Sequence, residues 1–316
     1  GARGEGGYLL NNRGERFMAR YAPDRMELAP RDIVSRSIET EIREGRGFED
    51  EYVWLDLRHL GAEKIKERLP GIRDIAISFA GIDPIEKPIP IQPAQHYAMG
   101  GIDCSRDGET EVRGLLAAGE CACVSVHGAN RLGGNSLLEC IVFGRRSGRR
   151  AAQFAKDRGD NDSTKALGEA LERAEGKEKS FMDGNGTGDP AHIRERLREV
   201  MSEDFGIFRE GKTLKDGLDR VKELKQEYKS IRPCYSGRRF NLDLIRSMQL
   251  DGELDIAEVI AAGALAREES RGSHYRLDFT KRDDGNWLKH TIARFTPEGP
   301  GLSYKDVVIT KWKPEG

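Results

Sequence analysis

Apolar residues along the chain recur with two different periods, and the switches between them mark out its elements. Tyr8-Leu-Leu10 and Arg16-Phe-Met18 flank Asn11-Asn-Arg-Gly14, a hairpin signal. Pro30 suits the first position of a helix. Beyond it Ile33, Val34, Ile38 and Ile42 fall at helical spacing, with Gly45 as a suitable stop. A strand over 52–57, a short helix over 62–69 and a second over 71–80 follow. Pro84, Pro88 and Pro90 require 82–91 to run extended, as a connection between domains or a sheet edge. A buried strand over 115–118 then leads through a loop of small residues to a helix beginning near Ser136. Leu137, Leu138, Ile141, Val142 and Phe143 predict that this helix is largely buried, and Gly144 and Gly148 let another element approach it closely.

After a polar linker over 159–163 the pattern becomes wholly helical. One stripe comprises Ala166, Leu167, Ala170, Leu171 and Ala174, and a second Ile193, Leu197, Val200 and Met201. A third holds Leu214, Leu218, Val221, Leu224 (or Lys225 beside it) and Tyr228, and helices over 241–250 and 253–267 complete the set. Charges cover the opposite faces, which predicts an antiparallel helical bundle. The tail alternates again: 286–295 and 302–312 read as strands joined by a turn over 296–301.

Composition narrows the function. The 316 residues carry 52 Lys and Arg against 54 Asp and Glu, a net charge of −2, so no global basic field exists and nucleic acid is excluded as a partner. Nothing approaches the run of about 18 apolar residues that spans a bilayer. The five cysteines are odd in number and lack paired metal-ligand spacing; Cys121 and Cys123, beside an apolar strand, read as buried, reduced thiols, and the setting as cytoplasmic. The chain begins with Gly1 and not Met, so the lack of a targeting segment carries no weight.

The candidate chemistry gathers in His127-Gly-Ala-Asn-Arg-Leu-Gly-Gly-Asn-Ser-Leu-Leu138. Gly128, Gly133 and Gly134 surround one charged residue, Arg131, and allow backbone to approach a ligand. Asn135 or Ser136 suits the cap of the following helix, whose free N–H groups face an electron-rich or anionic group. Glu120 closes the preceding strand. Arg31 projects from the first turn of its helix, where a cation opposes the dipole and a salt bridge with Asp32 is the plain explanation. His96 precedes Gly100-Gly101, a packed turn or a functional position, while His274 and His290 read as structural.

Leu115-Leu-Ala-Ala-Gly-Glu120 followed by the 127–138 motif resembles the flavoprotein subunits of succinate dehydrogenase and fumarate reductase. Arg3-Gly-Glu-Gly-Gly7, Pro30-Arg-Asp-Ile-Val34, Leu55-Asp-Leu-Arg-His-Leu60, His96-Tyr-Ala-Met-Gly-Gly101, Glu269-Ser-Arg-Gly-Ser-His274 and Trp287-Leu-Lys-His290 extend the likeness over nearly the whole chain. The related L-aspartate oxidases share a slightly altered central motif, and the tail after Trp287 favours the dicarboxylate enzymes.

The resemblance implies an α+β multidomain fold. A partial capping domain takes up residues 1–90 and part of a Rossmann-like FAD domain 91–157; a helical bundle spans 158–268 and a small β-containing module 269–316. It also implies FAD as cofactor, with Gly119, Glu120, Asn135, Ser136 and Leu137 at the flavin: Glu120 accepts from ribityl hydroxyls and the helix N-terminus faces the isoalloxazine. His96 and Arg131 would bind succinate or fumarate, Arg31 would transfer the proton, and Arg3 matches the relay arginine. The partners implied are an iron–sulfur subunit and, through the complex, a membrane anchor that exchanges electrons with quinone, which would hold this subunit peripherally on the cytoplasmic side of the inner membrane. The family begins with a Gly-x-Gly-x-x-Gly unit that these residues lack. The expectation is therefore a C-terminal fragment that binds FAD weakly or not at all, inactive alone; a non-catalytic, partner-binding scaffold is the competing expectation.

Overall fold

A computed structural model describes residues 1–159 and 163–312. The chain divides into two compact units, Gly1–His96 and Tyr97–Gly316.

In the first unit the order is β1 (Tyr8–Leu10), α1 (Met18–Tyr21), α2 (Arg31–Glu41), β2 (Val53–Asp56), α3 (Ala62–Arg68), α4 (Pro70–Ala80) and β3 (Ile89–Ile91). β2 lies between β1 and β3, antiparallel to both, with Leu9 opposite Leu55 and Val53 opposite Ile91. Leu9, Phe17, Met18, Val34, Ile38, Val53, Leu57 and Ile65 form the core. The expected hairpin does not form. The Asn11 side chain does turn the chain, accepting from the N–H groups of Arg13 and Glu15. Phe17 and Met18, however, are both buried, and consecutive residues of a strand point to opposite faces. The chain instead coils into α1, and β1 finds its partner in β2. Pro30 is the N-cap of α2, and Gly45, at φ 72°, turns the chain out of the widened last turn Ile42–Arg46. The proline-rich run is a sheet edge only over Ile89–Ile91. Earlier, Asp83 accepts from the Ile85 N–H and the Arg73 guanidinium and folds the segment into a turn.

Glu41, fully buried at the end of α2, ties this unit together. Its carboxylate accepts from Asn11, from Tyr21 Oη at 2.6 Å, and twice from Arg46, at 2.7 and 2.9 Å.

The second unit opens with β4 (Ile102–Asp103) and β5 (Ala122–Cys123), paired in parallel. The predicted strand over 115–118 is absent. Its backbone groups are spent locally, with Leu115 donating to Val112, Ala117 donating to Gly108, and Leu116 making one isolated bridge to Glu109. α5 (Asn135–Arg158) begins where expected, yet its apolar face is uncovered, with Leu137 71% and Ile141 68% exposed. Nor does anything lie within 4 Å of a Cβ built at Gly144 or Gly148. The face that turns inward carries Glu139 and Ser147.

α6 (Thr164–Asp183), α7 (Pro190–Glu203), α8 (Gly211–Tyr228) and α9 (Leu242–Ala266) build the bundle. Its core takes Ile193, Leu197, Val200, Leu214, Val221, Leu224, Leu250, Leu254 and Ala261. Leu224 faces inward, while Lys225 pairs with Asp255 and Glu258. The two helices expected over 241–267 are one, since Gly252 costs a helix about 1 kcal/mol, too little to break a packed one. The stripe expected on α6 is not buried: Ala166, Leu167, Ala170, Leu171 and Ala174 are all exposed, and the helix meets the core through Phe181 near its end. Of the linker expected over 159–163, residues 160–162 lie outside those described. The tail adds α10 (Asp284–Trp287), capped by Asp283, and the antiparallel hairpin of β6 (Lys289–Arg294) and β7 (Gly301–Asp306). Among the described residues no helix is long and apolar enough to cross a membrane.

Candidate functional site

In the second unit the loop ahead of α5 carries Arg131, only 9% exposed. Its one hydrogen bond runs from a terminal guanidinium nitrogen to the Leu132 carbonyl at 3.0 Å, and its buried Nε has no partner. No carboxylate among the described residues pairs with it. Beneath the guanidinium lies the Tyr97 ring, 4.6 Å away. Tyr97 Oη donates to Glu139, and the same carboxylate oxygen is 2.8 Å from His127 Nε2. Burial and the neighbouring carboxylate raise the tyrosine hydroxyl above its ordinary range, so it is the donor in that pair. His127 Nδ1, also buried, has no partner.

The far side of the loop is held by the tail. Ser273 donates to the Ala129 carbonyl through both its N–H (3.0 Å) and its Oγ (2.8 Å). A Cβ on Gly272, at φ 57°, would come 2.5 Å from the same oxygen. His290 Nε2 meets Ser125 Oγ at 2.9 Å, and Lys305 pairs with Asp103.

Glu120 is exposed, and one carboxylate oxygen accepts from the Ala98 N–H at 2.8 Å, leaving the other open to a hydroxyl donor. Gly119, before it, has φ 81°. Neither Asn135 nor Ser136 caps α5. Gly134, in the left-handed region at φ 83°, takes the N-cap and offers no side chain, because the chain enters the helix through a turn that only glycine adopts readily. The first N–H groups, at Ser136 and the exposed Leu137, thus keep no side-chain acceptor. Gly133 and Gly134 border open space, so an electron-rich group fits against this helix end without a clash.

In the first unit Arg31 is the first residue of α2 and exposed, with no carboxylate partner among the described residues; Asp32 pairs with Arg36 instead. Arg3 is part-buried, with one guanidinium nitrogen donating to the carbonyls of Glu27 (2.6 Å) and Ala29 (3.4 Å). Burial, and then the charge of Arg31, lower its pKa. His96 is exposed at the end of this unit.

The five cysteines are free, but Cys121 is exposed and Cys123 only half-buried, where both were expected to be buried. The predicted apolar strand that would cover Cys121 does not form. Among the described residues no cluster could hold a metal ion. His274 is structural: Arg209 donates to its Nδ1 at 2.8 Å, so its proton sits on Nε2, facing the Arg267 carbonyl. Tyr97 and Glu139 were not among the sequence candidates. One signal was present, because Glu139 is the only charged residue between Leu132 and Phe143. Ser273 had none, as its contact lies 144 residues away.

Two protein families match the sequence, one described as an FAD binding domain, over residues 1–137, and one as the fumarate reductase flavoprotein C-terminus, over residues 194–316. The 8-methylmenaquinol:fumarate reductase flavoprotein subunit of Wolinella succinogenes is 47% identical, covering 99% of this chain and 52% of its own. The succinate dehydrogenase flavoprotein subunit of Rickettsia conorii is 43% identical, covering 98% of this chain and 54% of its own. A solved E. coli quinol fumarate reductase FrdA variant superposes with a TM-score of 0.93 at 40% identity, over 100% of this chain and 57% of that one. The chain thus spans about half the length of the relatives it matches.

Proposed function

Since the chain belongs to the family of succinate dehydrogenase and fumarate reductase flavoprotein subunits, we propose that it forms part of a flavoprotein interconverting succinate and fumarate. In this reading the sequence divides into part of a capping domain (1–90), part of an FAD domain (91–157), a helical bundle (158–268) and a C-terminal module (269–316). The observation that carries the reading is Arg131: a buried guanidinium with an unpartnered Nε and no counter-ion among the described residues is in want of an anion.

A substrate with a carboxylate at each end needs cationic or donor groups for both. Arg131 presents a planar fork that matches a carboxylate in two parallel bonds, a geometry lysine cannot reproduce. His96 donates to a carboxylate. Bound FAD supplies the acceptor or donor of the hydride. Glu120, beside Gly119, would accept from its ribityl hydroxyls, and the uncapped start of α5 at Asn135, Ser136 and Leu137 would favour the extra negative charge that reduction brings. As the hydride leaves one carbon of succinate, the proton leaves its neighbour. Arg31 takes or returns that proton, and Arg3 relays it. A free guanidinium has a pKa above about 12, so a relay through one needs a destabilised cation. Arg3 has its pKa lowered by burial and then by the charge of Arg31.

Electrons would pass to an iron–sulfur subunit and a quinone-reactive membrane anchor, with this subunit peripheral on the cytoplasmic face of the inner membrane. Alone, the chain binds FAD weakly and does not turn over. The test carries this sequence in a protein of its relatives' full length. Bound flavin in the absorbance spectrum, bleached by succinate and restored by fumarate, supports the reading. Flavin untouched by either acid overturns it.

A further inference from the structure

A buried cation normally recruits a carboxylate, and a carboxylate is at hand. Glu139 is 3% exposed on the inward face of α5. Yet it does not pair with Arg131. Tyr97 stands between the two roles: its hydroxyl donates to Glu139, and its ring face lies 4.6 Å from the guanidinium carbon. An aromatic face attracts a cation through its quadrupole, and a hydroxyl that gives its hydrogen toward an anion makes its ring more electron-rich. Counter-charge thus reaches Arg131 through a π face, not through an ion pair. An ion pair would occupy the guanidinium fork, whereas the ring leaves its donors unspent, as the bare Nε records. His127 completes the arrangement from behind. Its Nε2 holds the same Glu139 oxygen at 2.8 Å, and its ring meets Tyr97 edge-on, 5.3 Å between centroids at 90°, which fixes the tilt of the tyrosine.

We infer that Tyr97, backed by Glu139 and His127, is the positioning residue for Arg131, holding its fork in place while leaving it vacant for a ligand carboxylate. The inference deepens the dicarboxylate reading above and rests on it. The test again uses the flavin-loaded protein of full length, with malonate, a dicarboxylate that cannot lose a hydride, titrated against the flavin absorbance. Loss of a desolvated cation–π contact corresponds to about a tenfold weakening. Tyr97→Leu should therefore raise the malonate Kd about tenfold with flavin content unchanged. Tyr97→Phe, which keeps the ring and loses the hydroxyl, should raise it about threefold. In turnover, both should raise the succinate KM while kcat stays within about twofold, a split that general loosening of the fold would not give. Wild-type malonate affinity in both variants overturns the inference and leaves the functional reading intact. Flavin loss in Tyr97→Leu together with wild-type affinity in Tyr97→Phe overturns it too. Absence of any malonate response in the unsubstituted protein removes the reading, and the inference with it.

Discussion

Ser273 grips the carbonyl oxygen of Ala129 with two donors, its own N–H and its Oγ, across 144 residues of sequence. The loop bearing Arg131 is thereby fixed by the tail as well as by its own neighbours. Ser273→Ala removes one of the two bonds and should cost no more than about 1 kcal/mol in urea denaturation. Gly272→Ala should cost more, because φ is 57° and the new Cβ would sit 2.5 Å from the Ala129 oxygen. Wild-type stability in both variants would mean that the clamp does not hold the loop.

Glu41 is buried among Asn11, Tyr21 and Arg46. Burial alone would push its carboxyl up; the bonds from Arg46, Tyr21 and Asn11 outweigh this and hold it down at about 2. The folded value lies below the unfolded one of about 4.3. Its contribution is therefore complete above that pH and is lost as pH falls toward 2, on the order of 3 kcal/mol in all. Glu41→Gln should destabilise the first unit at pH 7 and flatten its acid limb, as read by denaturant midpoints from pH 7 to 2.5. An unchanged acid limb would refute the assignment.

His274 works in a higher window. Burial, then the adjacent Arg209 charge, lower its pKa to about 4 from 6.5. The unfolded chain binds the extra proton, so stability of the second unit is full above pH 6.5 and declines toward pH 4, by roughly 3 kcal/mol. Between pH 6.5 and about 5 ordinary carboxylates stay ionised, so the slope there belongs to His274 and to His290, whose pKa burial also lowers. His274→Gln should remove the larger part of it, and proton NMR of the His274 imidazole should show no titration above about pH 5.

Arg31 is an exposed guanidinium at a helix N-terminus that makes no ion pair among the described residues. In the full-length protein Arg31→Lys should abolish succinate turnover, at least a hundredfold in kcat on the scale typical of general acid–base catalysis. Flavin content and malonate affinity should persist. Retained turnover would remove Arg31 from the proton path.

The periodic stretches were legible from sequence because their burial is decided nearby. The bundle stripes through Ile193, Leu197, Val221 and Leu224, the sheet edge at Ile89–Ile91 and the final hairpin all follow from local pattern. The region around the Arg131 loop was not, for the opposite reason. Leu137 and Ile141 read as core but are exposed in this chain, which spans about half its relatives' length, while the inward face of α5 carries Glu139 and Ser147, which meet Tyr97, His127 and the 108–117 loop. Likewise Arg131 could be picked out as the single charge in a glycine-rich loop, whereas its tyrosine support depends on a contact made across 34 residues of sequence.

One side chain in the tail has a wider reach than its position suggests. Arg276, almost fully buried, donates to the carbonyls of Ala264, Leu265 and Arg267 at the end of α9 and pairs with Asp278, which in turn accepts from the first N–H of α8. The longest helix of the bundle is therefore finished off by a residue that comes after it, and its neighbour is started by the same strut. Heat or denaturant cannot peel the tail away and leave the bundle whole: fraying of one exposes the bare ends of the other, and the two should come apart in a single step.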